Sequence, residues 1–318
     1  MDEPRPSTDA GPADGAHPPD RARIDTEQRN PRTMDLGSLD VEACLQRINA
    51  EDRLVPDAVA RAIPAIAAFV TGAAERIARG GRLIYLGAGT SGRLGVLDAA
   101  ECPPTFMTDP GLVLGLIAGG DSALRRSSEG MEDDPRGALS EFDAIDLGQR
   151  DSVLGIAAGG TTPYVRGGLE EAARRGALTG LLTCAAIDPP AGVGHLIFID
   201  TGPEAITGST RMKAGTATKL ALSMISTTLM IQLGKVHENL MVDLRATNAK
   251  LRDRAARIVT QLTGATRTEA FDLLDAAGGR VKIAVLMRQL AVPAAEAERA
   301  LDAAGGRLDT ALAQGAPS

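Results

Sequence analysis

A glycine-rich turn with two hydroxyl groups is the first stretch of this sequence that could do chemistry. In LIYLGAGTSGRLGVLDAAECPP the glycines have the spacing G-x-G-x-x-G, between an apolar run that predicts a strand and a stretch that predicts a helix. Such a turn offers backbone N–H groups to a phosphate at the positive end of a helix. Thr90 and Ser91 add hydroxyl donors that a phosphate monoester can use. The stretch therefore predicts a phosphate site at Gly89, Thr90, Ser91 and Gly92.

The same spacing is also the fingerprint of dinucleotide-binding folds, and it is weak evidence when it stands alone. A dinucleotide site needs an acidic residue about 20 positions later, at the end of the second strand, to hold the ribose. Here Asp109 precedes that strand, and Asp121 follows it after a Gly-Gly turn. These residues favour a sugar phosphate over NAD, and a glycine turn that binds nothing is a third alternative.

Two further hydroxyl-rich turns have similar chemistry. The segment GPEAITGSTRMKAGTATK places Ser209, Thr210 and Lys213 before a long apolar stretch, and AAGGTTPYV places Thr161 and Thr162 after another apolar run. If each turn follows a strand, all three meet at the carboxyl edge of a parallel sheet, where open α/β sheets bind ligands. Ser and Thr are also common N-caps, so capped helix starts are the alternative.

One carboxylate, Glu101, stands at the far end of the first stretch among Leu97, Ala99, Ala100 and Cys102. If the side chain turns inward, these apolar neighbours raise its pKa above the ordinary value of about 4.3, so that it keeps a proton near pH 7. Such a group can act as a general acid. An exposed charge at the end of a helix is the alternative.

Five short apolar runs predict the strands that must position these groups. They lack polar alternation, which is typical of parallel strands that are buried on both faces. Helical patterns lie between them, so we predict an α/β fold, a three-layer αβα sandwich around a five-stranded parallel sheet. The predicted strands are Leu83–Leu86, Leu112–Ala118, Ser152–Ala158, Thr179–Cys184 and Leu196–Ile199. The predicted helices between them are Ser91–Ala100, Ser122–Met131, Pro135–Phe142 and Pro163–Arg175, and two or three more precede the first strand.

The pattern divides the chain into three parts. Residues 1–23 are rich in proline and poor in large apolar side chains, so we expect a disordered tail. Residues 24–263 form the sandwich domain, in which Lys213–Leu233 is apolar almost all round and suits a core or a subunit interface. Residues 264–318 form a small helical module, because TEAFDLLDAAGGRVKIAVL and AEAERALDAAGGRLDTALA each predict a helix, a Gly-Gly break and a second helix.

Composition excludes several classes of function. The chain has 41 acidic against 34 basic side chains and only seven Phe and Tyr residues, so nucleic acid is not an expected partner. Its three cysteines offer neither a disulfide framework nor a zinc spacing, which predicts a reducing cytoplasm and no metal site. We expect no signal peptide and no membrane partner, because no run of about 18 uninterrupted apolar residues occurs.

Several strings taken together carry a family resemblance. LIYLGAGTSGRLGVLDAAECPPT, GLIAGGDSAL, GPEAITGSTRMKAGTATK and NLMVDLRATNAKL, with TEQRNPRT and INAEDRLVP near the start, closely resemble the N-acetylmuramic acid 6-phosphate etherases of the sugar isomerase (SIS) group. The resemblance covers about residues 24 to 310. It implies an SIS fold, a homodimer, no cofactor, and cleavage of the lactyl ether of N-acetylmuramate 6-phosphate to N-acetylglucosamine 6-phosphate and D-lactate in cell-wall recycling.

The resemblance also implies roles for two carboxylates. The acid that protonates the leaving lactate falls on Glu101 in ECPP, and the second catalytic carboxylate falls on Glu132 in SSEGMEDD. The alternative for Glu132 is structural, because it belongs to an acidic run, and such runs usually lie on a solvent-exposed face of a helix. One departure is clear, since the family usually has Ser-Gly-Arg-Thr-Pro where this chain has Gly159–Pro163, GGTTP. A hydroxyl and a guanidinium are therefore missing from this turn.

The implied chemistry is an elimination followed by addition of water. Opening of the sugar ring makes C1 an aldehyde, which acidifies the C2 proton and allows a base to remove it while the C3 ether oxygen leaves with a proton from an acid. An aldose–ketose isomerase or a non-catalytic sugar-phosphate sensor are the rival functions. His237, next to the apolar helix, is a further candidate that could reach a neighbouring subunit's site.

Overall fold

The structure is a computed structural model, and it describes residue 22 and residues 24–126, 129–244 and 248–315. The predicted disordered tail, residues 1–23, lies outside the described residues apart from residue 22. Two α-helices, α1 (Val41–Asp52) and α2 (Val55–Ile77), precede the first strand, as predicted. Asp40 caps α1 by accepting a hydrogen bond from the N–H of Ala43.

The stretch Val41–Ile77 is apolar and long enough to cross a membrane by length and composition alone, and no other stretch of the described residues is. It consists of two helices rather than one, and the buried residues of α2 recur every three or four positions. This face, which includes Ile66, Phe69 and Ala73, packs against the sheet and a long later helix in one apolar cluster. Helix α2 therefore has the packing of a core helix in a folded domain.

Five parallel strands form the central sheet, in the order β2-β1-β3-β4-β5. Every residue of β1 and β3 is buried, which explains their apolar runs. All five strands lie within two residues of the predicted positions, so the predicted sheet is confirmed. The bounds are β1 Leu83–Gly87, β2 Val113–Ile117, β3 Ser152–Ile156, β4 Leu178–Thr183 and β5 His195–Phe198.

Helices cover both faces of the sheet and complete the three predicted layers. Together with α2, the helices α3 (Gly89–Phe106) and α6 (Lys213–Gln232) pack on one face. On the other face, α4 (Leu139–Ala144) and α5 (Pro163–Arg174) pack in a second apolar cluster. The α/β three-layer sandwich predicted from the sequence is confirmed.

Two predicted helices are wrong. The region of Ser122–Met131 forms the short 3-10 helices Gly120–Leu124 and Glu129–Met131, because glycines at its start and near its end favour turns. The region of Pro135–Phe142 is helical only from Leu139, since the side chain of Asp134 accepts a hydrogen bond from the N–H of Arg136 at 2.9 Å and holds a turn.

From residue 236 onward, the described residues form a hairpin of two short strands followed by five helices. The bounds are β6 Val236–His237, β7 Leu240–Met241, α7 Ala249–Thr263, α8 Arg267–Ala276, α9 Val281–Leu290, α10 Ala294–Ala303 and α11 Leu308–Gly315. Helix α7 shares one apolar cluster with the four helices that follow it. The division of the chain at residue 263 stays a prediction, and this packing favours a division before α7.

Candidate functional site

A cleft of about 200 Å³ opens at the carboxyl edge of the sheet, between the ends of β1 and β3. Chain connections leave these two neighbouring strands in opposite directions, since β2 lies beyond β1 and β4 beyond β3. This is the switch point at which open α/β sheets bind ligands. The cleft is lined by Ile24, Glu27, Ala88, Gly89, Thr90, Ser91, Glu132, Ile156, Ala157, Ala158, Gly159, Thr161, Thr162 and Thr210.

The first wall of the cleft is the N-terminus of α3. Gly89 has a φ of +52°, which turns the chain from β1 into the helix. Gly92 then packs directly on β1, since a Cβ there would lie 2.6 Å from Ile117 Cγ1 and 2.7 Å from the oxygen of Gly87. The predicted Gly89, Thr90 and Ser91 therefore line the cleft, whereas Gly92 lies behind the loop and holds it against the sheet.

The second wall is the turn between β3 and α5. Thr161 and Thr162 line the cleft, and Pro163 occupies the first position of α5, where a helix needs no N–H. The N–H of Tyr164 donates a hydrogen bond to the backbone oxygen of Glu132 at 3.0 Å. This contact brings the segment of Glu132 to the same wall, so the predicted Glu132 and the threonines lie in one cleft.

The third predicted loop reaches the cleft only through Thr210. It meets the first loop at Gly215, where a Cβ would lie 3.6 Å from the oxygen of Thr210 and 3.7 Å from Thr90 Cγ2. Ser209 and Lys213, which we predicted as phosphate contacts, do not line the cleft. Thr210 and Thr90 therefore both lie beside Gly215, and the two loops adjoin there.

Lys213 is fully buried and forms part of an ionic network instead. Its Nζ donates to Glu51 Oε2 at 2.9 Å, and Arg32 binds the same carboxylate through Nε at 2.5 Å and Nη2 at 2.8 Å. Asn30 Nδ2 donates to it at 2.8 Å. The hydrogen bonds from Arg32 above all, with those from Lys213 and Asn30, outweigh desolvation and lower the pKa of Glu51 from 4.5 to about 2.

A second buried carboxylate, Glu204, closes the start of α6. Its two oxygens accept hydrogen bonds from the N–H groups of Lys213 and Ala214, both at 2.9 Å. Burial raises the pKa of Glu204, and the two N–H groups act against that effect. Sequence reasoning missed this residue, because it lies nine positions before the start of α6 and reaches it only through the fold of the intervening loop.

The N-terminal strap, residues 24–33, also lines the cleft, and sequence reasoning missed its role there. Ile24 and Glu27 face the cleft. The N–H of Gly208 donates to the oxygen of Thr26 at 3.2 Å, and Thr33 Oγ1 donates to the oxygen of Ala205 at 2.9 Å. No hydrophobic periodicity predicts a segment of this kind. The sequence feature that could have indicated it is TEQRNPRT, one of the strings that carry the family resemblance.

Glu101 is not brought to the cleft within one chain. It lies twelve positions after Gly89 on the same helix, which is a separation of roughly 18 Å along the axis. Of the two alternatives for Glu101, the single chain has the exposed one, because the buried stripe of α3 runs through Gly95, Ala99 and Cys102 and leaves Glu101 exposed. Glu101 borders a separate, largely apolar groove between α3 and α6, formed by Leu94, Leu97, Asp98, Glu101, Lys219, Leu222 and Ser223.

The electrostatics of the cleft suit an anion that is held without a cationic side chain. No Lys or Arg of the described residues lines it. Instead, the N-termini of α3 and α5 open on it, and helix N-termini carry partial positive charge. Five hydroxyl groups add donors, from Thr90, Ser91, Thr161, Thr162 and Thr210. The arrangement can bind a phosphate group and present the attached molecule to Glu132 and Glu27.

Comparison with known proteins decides the family. N-acetylmuramic acid 6-phosphate etherase of Synechococcus sp. (strain CC9605) is 53% identical over 269 residues, covering 84% of this chain and 85% of the relative. The etherase of Serratia proteamaculans (strain 568) is 51% identical over 280 residues, covering 86% of this chain and 93% of the relative. The chain belongs to the N-acetylmuramic acid 6-phosphate etherase family. A family model described as the glucokinase regulatory protein N-terminal SIS domain also matches residues 65–173, which include β1, α3 and β3.

Solved structures of two isomerases are more distant from this etherase family member. A putative sugar-phosphate isomerase from Listeria monocytogenes aligns at a TM-score of 0.41 and 16% identity, over 61% of this chain and 92% of that chain. A phosphoheptose isomerase from Francisella tularensis aligns at a TM-score of 0.40 and 18% identity, over 59% of this chain and 96% of that chain.

Proposed function

We propose that this chain cleaves the D-lactyl ether of N-acetylmuramate 6-phosphate and yields N-acetylglucosamine 6-phosphate and D-lactate. Membership of the etherase family supports this reaction. The structural observation that supports it is the cleft between β1 and β3. There, hydroxyl groups and two helix N-termini surround a space next to Glu132. We place the activity in the cytoplasm, in the recycling of cell-wall sugars.

The phosphate binds at the start of α3, where Thr90 and Ser91 supply hydroxyls beside free N–H groups. Thr161, Thr162 and Thr210 reach it from the other two loops. Anchoring at C6 fixes the rest of the open-chain sugar, which restricts its motion and sets the distance to the base. Lys213 acts indirectly, because its pairing with Glu51 fixes the loop that carries Thr210.

Glu132 removes the proton at C2, which the aldehyde at C1 has acidified. The electron pair forms the C2–C3 double bond and expels the lactate oxygen from C3, and that oxygen takes a proton from a carboxylic acid. Water then adds to C3 of the unsaturated aldehyde and restores the proton at C2. Glu101 is the acid in this scheme, as the family resemblance implies.

The distance between Glu101 and the cleft requires a second copy of the chain in this scheme. We propose a homodimer in which the groove of one chain covers the cleft of the other and brings Glu101 to it. The exposed apolar side chain of Leu97, 52% accessible, lies beside Glu101 and supports a covered surface there. His237, in β6 just after α6, is a further candidate for a residue that reaches the partner's site.

The direct test follows D-lactate release from N-acetylmuramate 6-phosphate in water enriched in oxygen-18 and deuterium. Elimination and addition place the heavy oxygen at C3 of the sugar and deuterium at C2, whereas displacement at the lactyl carbon labels the lactate instead. Glu132→Gln should lower the rate of release about 10²- to 10⁴-fold with little change in substrate affinity. Unlabelled sugar, or an active Glu132→Gln variant, would refute the scheme.

A further inference from the structure

We propose that Glu27, on the N-terminal strap, catalyses the opening of the sugar ring that must precede the elimination. This inference rests on the proposed function, and it assigns a step that neither Glu101 nor Glu132 performs. Glu27 and Glu132 are the two carboxylates of the described residues that line the cleft. They belong to different walls of the cleft. The backbone of Glu132 is hydrogen-bonded to the first turn of α5, whereas Glu27 lies against the turn at Gly208.

The strap holds Glu27 in place through its backbone. The N–H of Glu27 donates to the oxygen of Ile24 at 2.8 Å, which closes the turn Asp25–Glu27. The adjacent Thr26 is buried, and its backbone oxygen accepts the hydrogen bond from Gly208. The backbone at Glu27 is thus held by contacts that do not use its carboxylate.

Further along the strap, side chains fasten it to the same loops. Asn30 donates to the oxygen of Pro203 at 3.2 Å and to Glu51 at 2.8 Å, and Arg32 pairs with Glu51. Since Glu51 also binds Lys213 at the start of α6, the strap, α1 and α6 share one buried ionic centre. The cleft is therefore built with the strap as one of its walls.

The carboxylate of Glu27 is available for a ligand. Within the described residues it accepts no side-chain or backbone hydrogen bond, although it is close to the chain at Gly208, where a Cβ would lie 3.0 Å from Glu27 Oε2. Gly208 has a φ of +74°, and a residue with a side chain there would meet both backbone strain and this carboxylate. The glycine leaves the carboxylate free to face the cleft beside Thr210.

The chemistry of the reaction calls for such a group. A cyclic sugar has no carbonyl at C1, so the C2 proton becomes acidic only after the ring has opened. Opening moves a proton from the hydroxyl at C1 to the ring oxygen. A base and an acid are needed in turn at two neighbouring oxygens, and one carboxyl group with two oxygens can serve as both.

The step balances without any other reactant. The Glu27 carboxylate accepts the proton of the C1 hydroxyl, the electrons of that O–H bond form the C1=O double bond, and the bond between C1 and the ring oxygen breaks. The ring oxygen then takes the proton from Glu27, which returns to its charged form. Glu132 is left to remove the proton at C2 from the aldehyde.

Ring opening can be measured apart from ether cleavage, because the α and β anomers of N-acetylglucosamine 6-phosphate interconvert through the open chain. The test measures catalysed anomer exchange by NMR with the full-length protein, next to D-lactate release from the substrate. Glu27→Gln should lower both rates about 10²-fold or more. Glu132→Gln should lower lactate release about 10²- to 10⁴-fold and leave anomer exchange near the wild-type rate.

Exposed Glu42 on α1 provides a matched control, since Glu42→Gln makes the same chemical change away from the cleft and should alter neither rate. Equal melting temperatures of the variants establish that Glu27→Gln folds. Wild-type anomer exchange in Glu27→Gln would overturn the assignment. Failure of the wild-type protein to release lactate would instead refute the proposed function, because anomer exchange is read independently.

Discussion

Glu51 shows how a charged residue far from the reacting atoms can decide the shape of a site. Its carboxylate is buried and receives hydrogen bonds from Arg32 and Asn30 of the strap and from Lys213 at the start of α6. Removing one partner from a buried ion pair typically costs about 3–5 kcal/mol, because a charge is left without compensation. Lys213 is therefore a positioning residue, and its conspicuous place in GSTRMKAGTA reflects a structural role.

The lowered pKa of Glu51 predicts an acid-sensitive contribution to stability. The folded pKa is about 2 against 4.5 in the unfolded chain, so the contribution is complete above pH 4.5 and is lost as the pH falls toward 2. Between pH 6 and pH 3 we expect a loss of about 1–2 kcal/mol in the free energy of unfolding that Glu51→Gln does not show. Denaturant titrations of both proteins at the two pH values measure this difference.

Glu298→Gln is the control for that experiment, because Glu298 pairs with Arg280 on the surface, where ion pairs contribute little. Its loss of stability between pH 6 and pH 3 should match that of the wild-type protein. An identical pH dependence for Glu51→Gln and the wild type would contradict the role assigned to the buried network.

At the scale of elements, helix α3 joins the loop of Thr90 and Ser91 to Glu101, and its position depends on a close approach of backbones. Gly92 lies so near β1 that a Cβ would stand 2.7 Å from the oxygen of Gly87. Such contacts are possible only for glycine, and they explain why the third glycine of the motif is needed even though it does not face the cleft.

Gly92→Ala should therefore displace the start of α3 from the sheet. We expect a loss of about 1–3 kcal/mol in the free energy of unfolding and a raised KM for the phosphorylated sugar, because Thr90 and Ser91 move with the helix. Gly37→Ala is the control, since Gly37 has open space around it and an ordinary φ. Urea titration measures the change in stability, and initial-rate kinetics measure the change in KM. An unchanged KM in Gly92→Ala would contradict the role of this glycine in positioning Thr90 and Ser91.

Elements were predictable where one physical signal dominated. The buried strands follow from uninterrupted apolar runs, and the repeat in the C-terminal module follows from its glycine pairs. Gly278 and Gly279 have φ values of +61° and +77°, and Gly305 and Gly306 have +62° and +77°, so both pairs end a helix in the same way. A local conformation that only glycine adopts easily is visible in the sequence.

Features that depend on distant contacts were not predictable. The exposure of Glu101 follows from the phase of α3, which is set by its packing on β2 and α6 rather than by the apolar neighbours of Glu101. Similarly, the pairing of Lys213 with Glu51 joins residues 162 positions apart. The strap reaches the cleft through backbone hydrogen bonds, which leave no pattern of side chains.

At the scale of the whole molecule, the proposed scheme makes the cleft and Glu101 two half-sites on one chain. The cleft holds Glu132 and the loops of Thr90, Thr161 and Thr210, whereas Glu101 borders the groove between α3 and α6. Met224 and Ile231 of α6 are also exposed, so this side of the molecule offers apolar surface to a second copy. A homodimer that covers it would bring the two halves together twice by symmetry.

This arrangement predicts that two inactive variants restore each other. If Glu101 acts on the partner's cleft, a mixed dimer of Glu101→Gln with Glu132→Gln contains one intact site and one that lacks both carboxylates. Random exchange at equal amounts makes about half of the dimers mixed, so about a quarter of wild-type lactate release should return. Each variant mixed with wild-type protein calibrates the subunit exchange. If both carboxylates act within one chain, every site of the mixed dimer lacks one of them, and the absence of restored activity despite proven exchange would exclude the shared site.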